Sequence, residues 1–239
     1  MNVALIFAGG VGRRMNQSAL PKQFLELNGK PVIIHTLEHF QHHPEIDAIA
    51  IACVEDWIDH LRELLDEYGM TKVRWLVPGG ATGQLSIYNG LKAITADLER
   101  TNPVVLIHDA VRPLINADLI SRNIASVREL GSGVTCSVVK ETILIADGDE
   151  YVAEITDRAQ TRIARAPQSF LLNDIYQGHI SALERGFDDC IDSCSIMQLG
   201  GHPVRLVDGP HENIKITTPG DFFVFRALHE ATQNQQIFG

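Results

Sequence analysis

Val3-Ala4-Leu5-Ile6-Phe7-Ala8-Gly9-Gly10 is the stretch on which the fold turns. Six apolar residues run without a polar break and stop at a glycine pair, the pattern of a strand buried on both faces. Strands of that kind belong to parallel sheets covered by helices. The chain beyond it repeats the theme. Ile46–Cys53, Val73–Val77, Val104–Ile107 and Gly133–Val139 read as further strands, the first three largely apolar. Between them, Val32–Phe40 follows Pro31, a good first helical residue, and Trp57–Tyr68 places Trp57, Leu61, Leu64, Leu65 and Tyr68 on one face. Leu85–Leu98 and a segment from about Asp118 to Leu130 complete the helices of this part. The alternation predicts an α/β domain with a mainly parallel sheet and helices on both faces.

After Val138 the pattern changes. Thr142–Asp147 and Tyr151–Ile155 flank Gly148-Asp149 as a hairpin would, so residues 138–163 are expected to form a protruding β-arm. Phe170–Glu184 is expected to be helical, and His202–Val207 and Asn213–Thr217 to be strands. A last helix opens with Thr218 at N-cap, Pro219 at N1 and Asp221 at N3, ahead of Phe222, Phe225 and Leu228. No repeat or low-complexity linker interrupts residues 1–239, which reads as a single domain carrying one arm.

Composition narrows the function. The chain has 239 residues, 45% hydrophobic, with a formal net charge of −10. Such an acidic surface repels nucleic acid and anionic membranes, and it means that a polyanionic ligand needs a local cluster of cations. Cys53, Cys136, Cys190 and Cys194 make no zinc-type array, and a reducing, cytoplasmic setting is expected. Met1–Gly10 lacks a basic leader and reads as the first strand, and no run approaches the roughly 18 apolar residues of a membrane span.

Three groups of residues carry chemistry. The first is Gly9-Gly10-Val11-Gly12-Arg13-Arg14 followed by Pro21-Lys22. Glycines after a strand let backbone amides approach phosphates, and Arg13, Arg14 and Lys22 supply charge. It is not a dinucleotide fingerprint, because Met15 stands where the third glycine belongs, nor a Walker loop, because no Gly-Lys-Ser/Thr follows. The second is His108-Asp109-Ala110-Val111-Arg112. A carboxylate at the end of a central strand suits Mg²⁺ beside a triphosphate, and Arg112 suits a second phosphate. The alternative is a structural Asp–Arg pair, with His108 supporting the loop. The third comprises Asp157-Arg158, Pro167-Gln168, Asp192 and Lys215. Lys215 lies between isoleucines and points away from them, into a cleft or into solvent. His35, His39, His42 and His43 read as a surface or interface cluster rather than a metal site.

These motifs resemble, over nearly the whole chain, the cytidylyltransferases that include the 2-C-methyl-D-erythritol 4-phosphate and D-ribitol 5-phosphate enzymes. The resemblance rests on Ala8-Gly9-Gly10…Gly12-x-Arg14-Met15, Pro21-Lys22-Gln23-Phe24, Gly79-Gly80, His108-Asp109-Ala110-x-Arg112-Pro113, Pro167-Gln168-x-Phe170 and Asn213-Ile214-Lys215-Ile216-Thr217, in that order. It implies a doubly wound, Rossmann-like nucleotidyltransferase fold and a homodimer whose arm reaches the partner's site. It implies CTP and a phosphorylated alcohol as substrates and Mg²⁺ as cofactor, held by Asp109. Catalytic roles fall to Arg14, Lys22 and Lys215, and nucleotide binding to Ala8, Gly9, Gly10, Gly12, Gly79, Gly80 and Ser86. Arg112, Arg158 and Asp192 match acceptor-binding positions, Arg158 acting in cis or from the partner. The sequence departs from the family at Ala81-Thr82-Gly83-Gln84, where an acid and an arginine are usual, and at Ala166, where a threonine is usual. Ala8-Gly9-Gly10, the Lys22–Leu27 stretch, Val111 and Ser169 lie nearer the ribitol-phosphate branch. The alternatives are the methylerythritol-phosphate enzyme, a non-catalytic nucleotide-binding relative and, from Gly10-x-Gly12 alone, a nicotinamide-dependent oxidoreductase.

Overall fold

The central strand is β1 (Asn2–Ala8), and Val3, Ala4, Leu5 and Ile6 in it have no exposed surface. A computed structural model describes residues 1–9, 20–98, 101–148 and 150–238, with side chains in the last helix as far as residue 232. A short hairpin, β2 (Glu26–Leu27) and β3 (Lys30–Pro31), leads into α1 (Val32–Gln41). There follow β4 (Ala48–Cys53), α2 (Ile58–Glu67), β5 (Val73–Pro78), α3 (Gly83–Asp97), β6 (Val104–Asp109), α4 (Ala117–Leu130) and β7 (Ser132–Val138). The arm carries β8 (Leu144–Ala146) and β9 (Val152–Ile155), and the chain closes with β10 (Arg162–Leu171), α5 (Leu172–Glu184), α6 (Ser193–Leu199), β11 (Leu206–Asp208) and α7 (Pro219–Phe238).

Seven strands form the main sheet in the order β11-β7-β10-β6-β1-β4-β5. β1 pairs in parallel with β4 and β6, β4 with β5, and β7 with β11, while β10 runs antiparallel between β6 and β7. The sheet is therefore mainly parallel, as the apolar runs predict. Alternation along β1 divides the core. Ala4, Ile6 and Ala8 face a layer that includes Leu37, Phe40, Leu61 and Ile120 from α1, α2 and α4. Val3 and Leu5 face one that includes Ile87, Leu91, Ile175 and Ile196 from α3, α5 and α6. Gly90 lets α3 approach β1, since a methyl group there would overlap Leu5 Cδ1.

Three expectations are corrected. The Phe170–Glu184 segment is helical only from Leu172, because β10 runs through Leu171 and Phe170 pairs with Val105 and Ser132. Pro167 lies in the register shift between Ala164 and Gln168, where the strand needs no amide donor. His202–Val207 contributes only Leu206–Asp208, an edge strand beginning after Pro203. Asn213–Thr217 is not a strand. Its link to the neighbouring chain is the bond from Ile216 N to Val111 O at 2.9 Å, and Ile216 anchors it by packing with Leu27, Val32, Val111 and Phe225.

The expected cap of α7 is present. Thr218 Oγ1 accepts from Asp221 N at 3.3 Å, and Asp221 Oδ2 accepts from Thr218 N at 2.7 Å. In the arm, β8 and β9 pair as the hairpin reading expects, though Asp149 of its turn lies outside the described residues. Among the described residues, no helix is long and apolar enough to cross a membrane.

Two histidines make the fold sensitive to acid. His108 and His179 have no exposed surface, and His108 Nδ1 and both ring nitrogens of His179 lack hydrogen-bond partners. Burial pushes each imidazole down to about 4 from the ordinary 6.5. Below pH 6.5 the unfolded chain then binds more protons than the folded one, so stability falls as pH drops from about 6.5 towards 4. His35 and His39 shift in the same direction, chiefly through burial. Urea unfolding at pH 7 and pH 5 is expected to show a loss of about 1–2 kcal/mol per fully buried histidine. His179→Leu should remove one share of that loss; an unchanged pH dependence in the variant would contradict this account.

Candidate active site

The C-terminal ends of β6, β1, β4 and β5 lie side by side, because the register sets Phe7 against Asp109 and Ala8 against Cys53. Crossovers leave β1 towards β4 on one side and return to β6 on the other, so this edge is the topological switch point where α/β sheets bind ligands. Ser86, in the first turn of α3, ties the glycine loops together. Its Oγ accepts from Gly80 N at 3.0 Å and donates to Thr82 O at 2.9 Å. Gly79 N donates to Cys53 O at 2.6 Å. A Cβ on Gly9 would lie 2.5 Å from Ser86 Oγ, so only glycine lets the end of β1 come this close. Ala8, Gly9, Gly79, Gly80 and Ser86 are thus brought together as expected. Gly10, Gly12, Arg13 and Arg14 lie outside the described residues.

Lys22 opens a short 3₁₀ turn, Lys22–Phe24. The buried Gln23 side chain donates to Ala8 O at 3.0 Å, and Phe24 stacks on Trp57 with ring centroids 5.1 Å apart. These two neighbours return the chain to the end of β1 and set Lys22 there.

Asp109 ends β6 with 8% of its side chain exposed. Its Oδ2 accepts from Arg112 Nε at 2.7 Å, and its Oδ1 lies 2.6 Å from Lys215 Nζ. Burial by itself would raise this carboxyl's pKa, but the charges of Lys215 and Arg112 and their hydrogen bonds outweigh it. The group is held well below the usual carboxylate range and is ionised at neutral pH. Arg112 also donates from Nη1 to Asn213 O at 3.0 Å, while Asn213 Nδ2 donates to Ala166 O at 2.6 Å. With Ile216 anchored in its apolar cluster, Lys215 on the opposite side is aimed at Asp109, which settles its direction in favour of the cleft. His108 plays the supporting part expected of it, donating from Nε2 to Arg112 O at 3.1 Å.

Asp109, Arg112, Ala166 and Lys215 line a cavity of about 460 Å³ that also takes in Phe7, Arg165, Gln168 and Asp192. Two buried glutamines hold the loop at its mouth. Gln84 Nε2 donates to Phe187 O at 2.7 Å, and its Oε1 accepts from Cys190 N at 2.7 Å. Gln168 Nε2 donates to Asp192 Oδ2 at 2.9 Å, and its Oε1 accepts from Cys194 N at 2.8 Å. Thr82 Oγ1 adds a bond to Asp188 O at 2.7 Å. The unusual Ala81–Gln84 stretch therefore braces the loop that rims the cavity. Asp192 has a structural task as well, since its Oδ1 caps α6 through Ser195 N at 2.8 Å.

Arg158 is not brought to this cavity. It lies exposed in the arm, with Nη2 3.2 Å from Thr142 Oγ1. Conversely, Arg165 lines the cavity although it did not stand out in the sequence, and Gln84, noted there only as part of the unusual Ala81–Gln84 stretch, lines it too. The signal for Arg165 was its place beside Ala166-Pro167-Gln168, the motif at which the pattern departs. Among the described residues no three His, Cys, Asp or Glu side chains group as a metal site. The larger groove, about 860 Å³, is lined by His35, His39, His42, His43 and His229. Three of these rings are already bonded through Nε2, His35 to Leu27 O, His39 to Pro113 O and His43 to Ala117 O. His35 and His43 are buried and only His42 is exposed, so the expected surface cluster is in large part built into the fold.

Residues 2–230 match the family described as IspD, 2-C-methyl-D-erythritol 4-phosphate cytidylyltransferase. A ribitol-5-phosphate cytidylyltransferase of Vibrio parahaemolyticus is 53% identical over 239 residues, covering 100% of both chains. A 2-C-methyl-D-erythritol 4-phosphate cytidylyltransferase of Clostridium botulinum is 37% identical over 229 residues, 96% of this chain and 97% of its own. The crystal structure of 4-diphosphocytidyl-2C-methyl-D-erythritol synthase from Anaerococcus prevotii superposes with a TM-score of 0.82 at 30% identity, covering 96% of each chain. With a Rossmann-like, mainly parallel sheet, paired glycine loops at its switch point and a buried Asp–Arg–Lys cluster beside them, the chain belongs to the IspD cytidylyltransferase family.

Proposed function

We propose that the protein joins CTP to D-ribitol 5-phosphate, forming a CDP-alcohol and pyrophosphate. The full-length 53% identity to a ribitol-5-phosphate cytidylyltransferase carries this choice of acceptor over methylerythritol phosphate, whose named enzyme stands at 37%. The site geometry suits the reaction. Ala8, Gly9, Gly79 and Gly80 present backbone at the strand ends, and the cavity beside Asp109, Arg112 and Lys215 suits a phosphorylated alcohol.

A phosphate oxygen of the acceptor attacks the α-phosphorus of CTP in line. The bond from that phosphorus to the bridging oxygen breaks, and pyrophosphate leaves with the electron pair. No covalent protein intermediate is required. What the protein supplies is position and charge, because two polyanions must be held against their mutual repulsion. Lys22 and Arg14 neutralise the triphosphate, and Lys215 and Arg112 face the acceptor. Asp109 is the residue that would hold Mg²⁺. Its carboxylate has lone pairs beyond the two used by Lys215 and Arg112, and one carboxylate plus phosphate oxygens and water is a usual Mg²⁺ environment. Bound there, the ion would supply further charge neutralisation at the triphosphate.

The arm, residues 138–163, serves in this reading as the contact of a homodimer, with Arg158 delivered to the partner's site. Exposed apolar side chains support it: Leu144 is 54% exposed, Val152 56% and Ile155 65%. Residues 1–239 act as one catalytic domain with this appendage. All four cysteines are free, which supports a cytoplasmic location.

Pyrophosphate release with Mg²⁺, each of the four NTPs, and ribitol 5-phosphate or methylerythritol 4-phosphate tests the reading. The CTP and ribitol 5-phosphate pair should be the best, and no release with any pair would favour a non-catalytic nucleotide binder. Lys22→Ala should lower kcat by on the order of 100-fold, the cost of losing one charge-stabilising donor; near-wild-type turnover would remove that role. Mixing subunits bearing Lys22→Ala with subunits bearing Arg158→Ala should restore up to about a quarter of wild-type activity, because half the sites of each mixed dimer are intact. No recovery would assign Arg158 to its own chain's site.

A further inference from the structure

Arg165 is half-buried in β10 and has no carboxylate partner among the described residues. Its Nε donates to Ser137 Oγ at 3.3 Å, and its Nη1 reaches Asn213 O at 3.5 Å. That same carbonyl accepts from Arg112 Nη1 at 3.0 Å, so two guanidiniums converge on one oxygen. The buried carboxylate of the cluster, Asp109, is already shared by Arg112 and Lys215. Of the two other acids lining the cavity, Asp189 is exposed at the rim, and Asp192 is bonded to the neutral partners Ser195 and Gln168. Among the described residues, Arg112, Arg165 and Lys215 thus share the cavity with the carboxylates of Asp109 and Asp192, and Arg165 is paired with neither. Burial, with the charge of Arg112 second, lowers the Arg165 pKa from its ordinary value, as expected of a cation lacking a counter-ion.

Holding two guanidiniums together in a partly dry cavity costs free energy unless an anion joins them. A phosphate monoester carries a charge of about −1.5 to −2 at neutral pH and accepts planar guanidinium pairs well. We infer that Arg165 binds the phosphate of the acceptor, supplying a charged fork beside Ala166, where no hydroxyl is available. The inference rests on the proposed reaction for the identity of the acceptor, though not for the anion. It makes the cavity selective for phosphorylated over free alcohols.

Thermal-shift titration of the full chain with inorganic phosphate, ribitol 5-phosphate and ribitol tests this without turnover. Both phosphates should stabilise the wild-type protein, and ribitol should not. Arg165→Gln should weaken both phosphates about 10- to 100-fold, the range for losing a hydrogen bond to a charged group, and leave CTP affinity unchanged. Arg165→Lys should recover part of the loss. Without ligand, Arg165→Gln should melt at or above the wild-type temperature, because it relieves the repulsion with Arg112. A lower melting temperature with unchanged phosphate affinity would make Arg165 a structural tie and overturn the inference, as would failure of either phosphate to stabilise the wild type. If phosphate binding falls in Arg165→Gln while the wild type releases no pyrophosphate with ribitol 5-phosphate, the anion site stands and the proposed acceptor fails.

Discussion

A carboxylate cannot stay ionised inside a protein without partners, and Asp109 meets that constraint by holding one near and one distant cation at the end of β6. Arg112 comes from three residues away, but Lys215 comes from the far end of the sequence. Buried ion pairs are seldom retained for net stability, since desolvating the charges offsets much of their attraction. Here the pairing has a positional consequence instead. The Asn213–Thr217 segment, which has no place in the sheet, is fixed on one side by Ile216 in its apolar cluster and on the other by Lys215 on Asp109. Arg112 reaches the same segment through Asn213 O, and Asn213 passes the connection to Ala166 in β10. One buried charge therefore organises β6, β10 and the approach to α7.

The glycine-loop side of the site is organised differently, by close backbone approach. The loops after β1 and β5 converge on a single serine hydroxyl, which accepts from Gly80 N and donates to Thr82 O. The two halves are joined by the loop at residues 187–192, which Gln84 grips from the glycine-loop side and Gln168 from β10, through three hydrogen bonds of buried amides. This gives a physical role to the stretch in which the sequence departs from its family: Ala81–Gln84 supports the rim of the cavity beside Asp109.

The arm stands outside this economy. Its two strands pair with each other and expose Leu144, Ile145, Val152 and Ile155 side by side. A surface of that kind is stable in water when something covers it, and a second copy of the chain is the occupant that the reading of Arg158 requires.

The buried parallel strands, the helices between them, the α7 cap and the hairpin of the arm were legible in the sequence. Each is set by periodicity, turn chemistry or capping within a few neighbouring residues. The motifs around Gly9, Lys22, Asp109 and Lys215 were legible too, as residue types suited to phosphate chemistry. Only the tertiary structure decided that β10 runs on to Leu171, because its pairing partners, Val105 and Ser132, are remote in sequence. The same holds for Asn213–Thr217, whose alternating pattern suits a strand but which finds Val111 and Asp109 in place of a sheet neighbour. Arg165 and Gln84 show the limit most plainly. An arginine beside Ala166-Pro167-Gln168 and a glutamine closing the unusual Ala81–Gln84 stretch do not by themselves mark a cavity wall, and they form one only when charge and burial from the rest of the chain surround them.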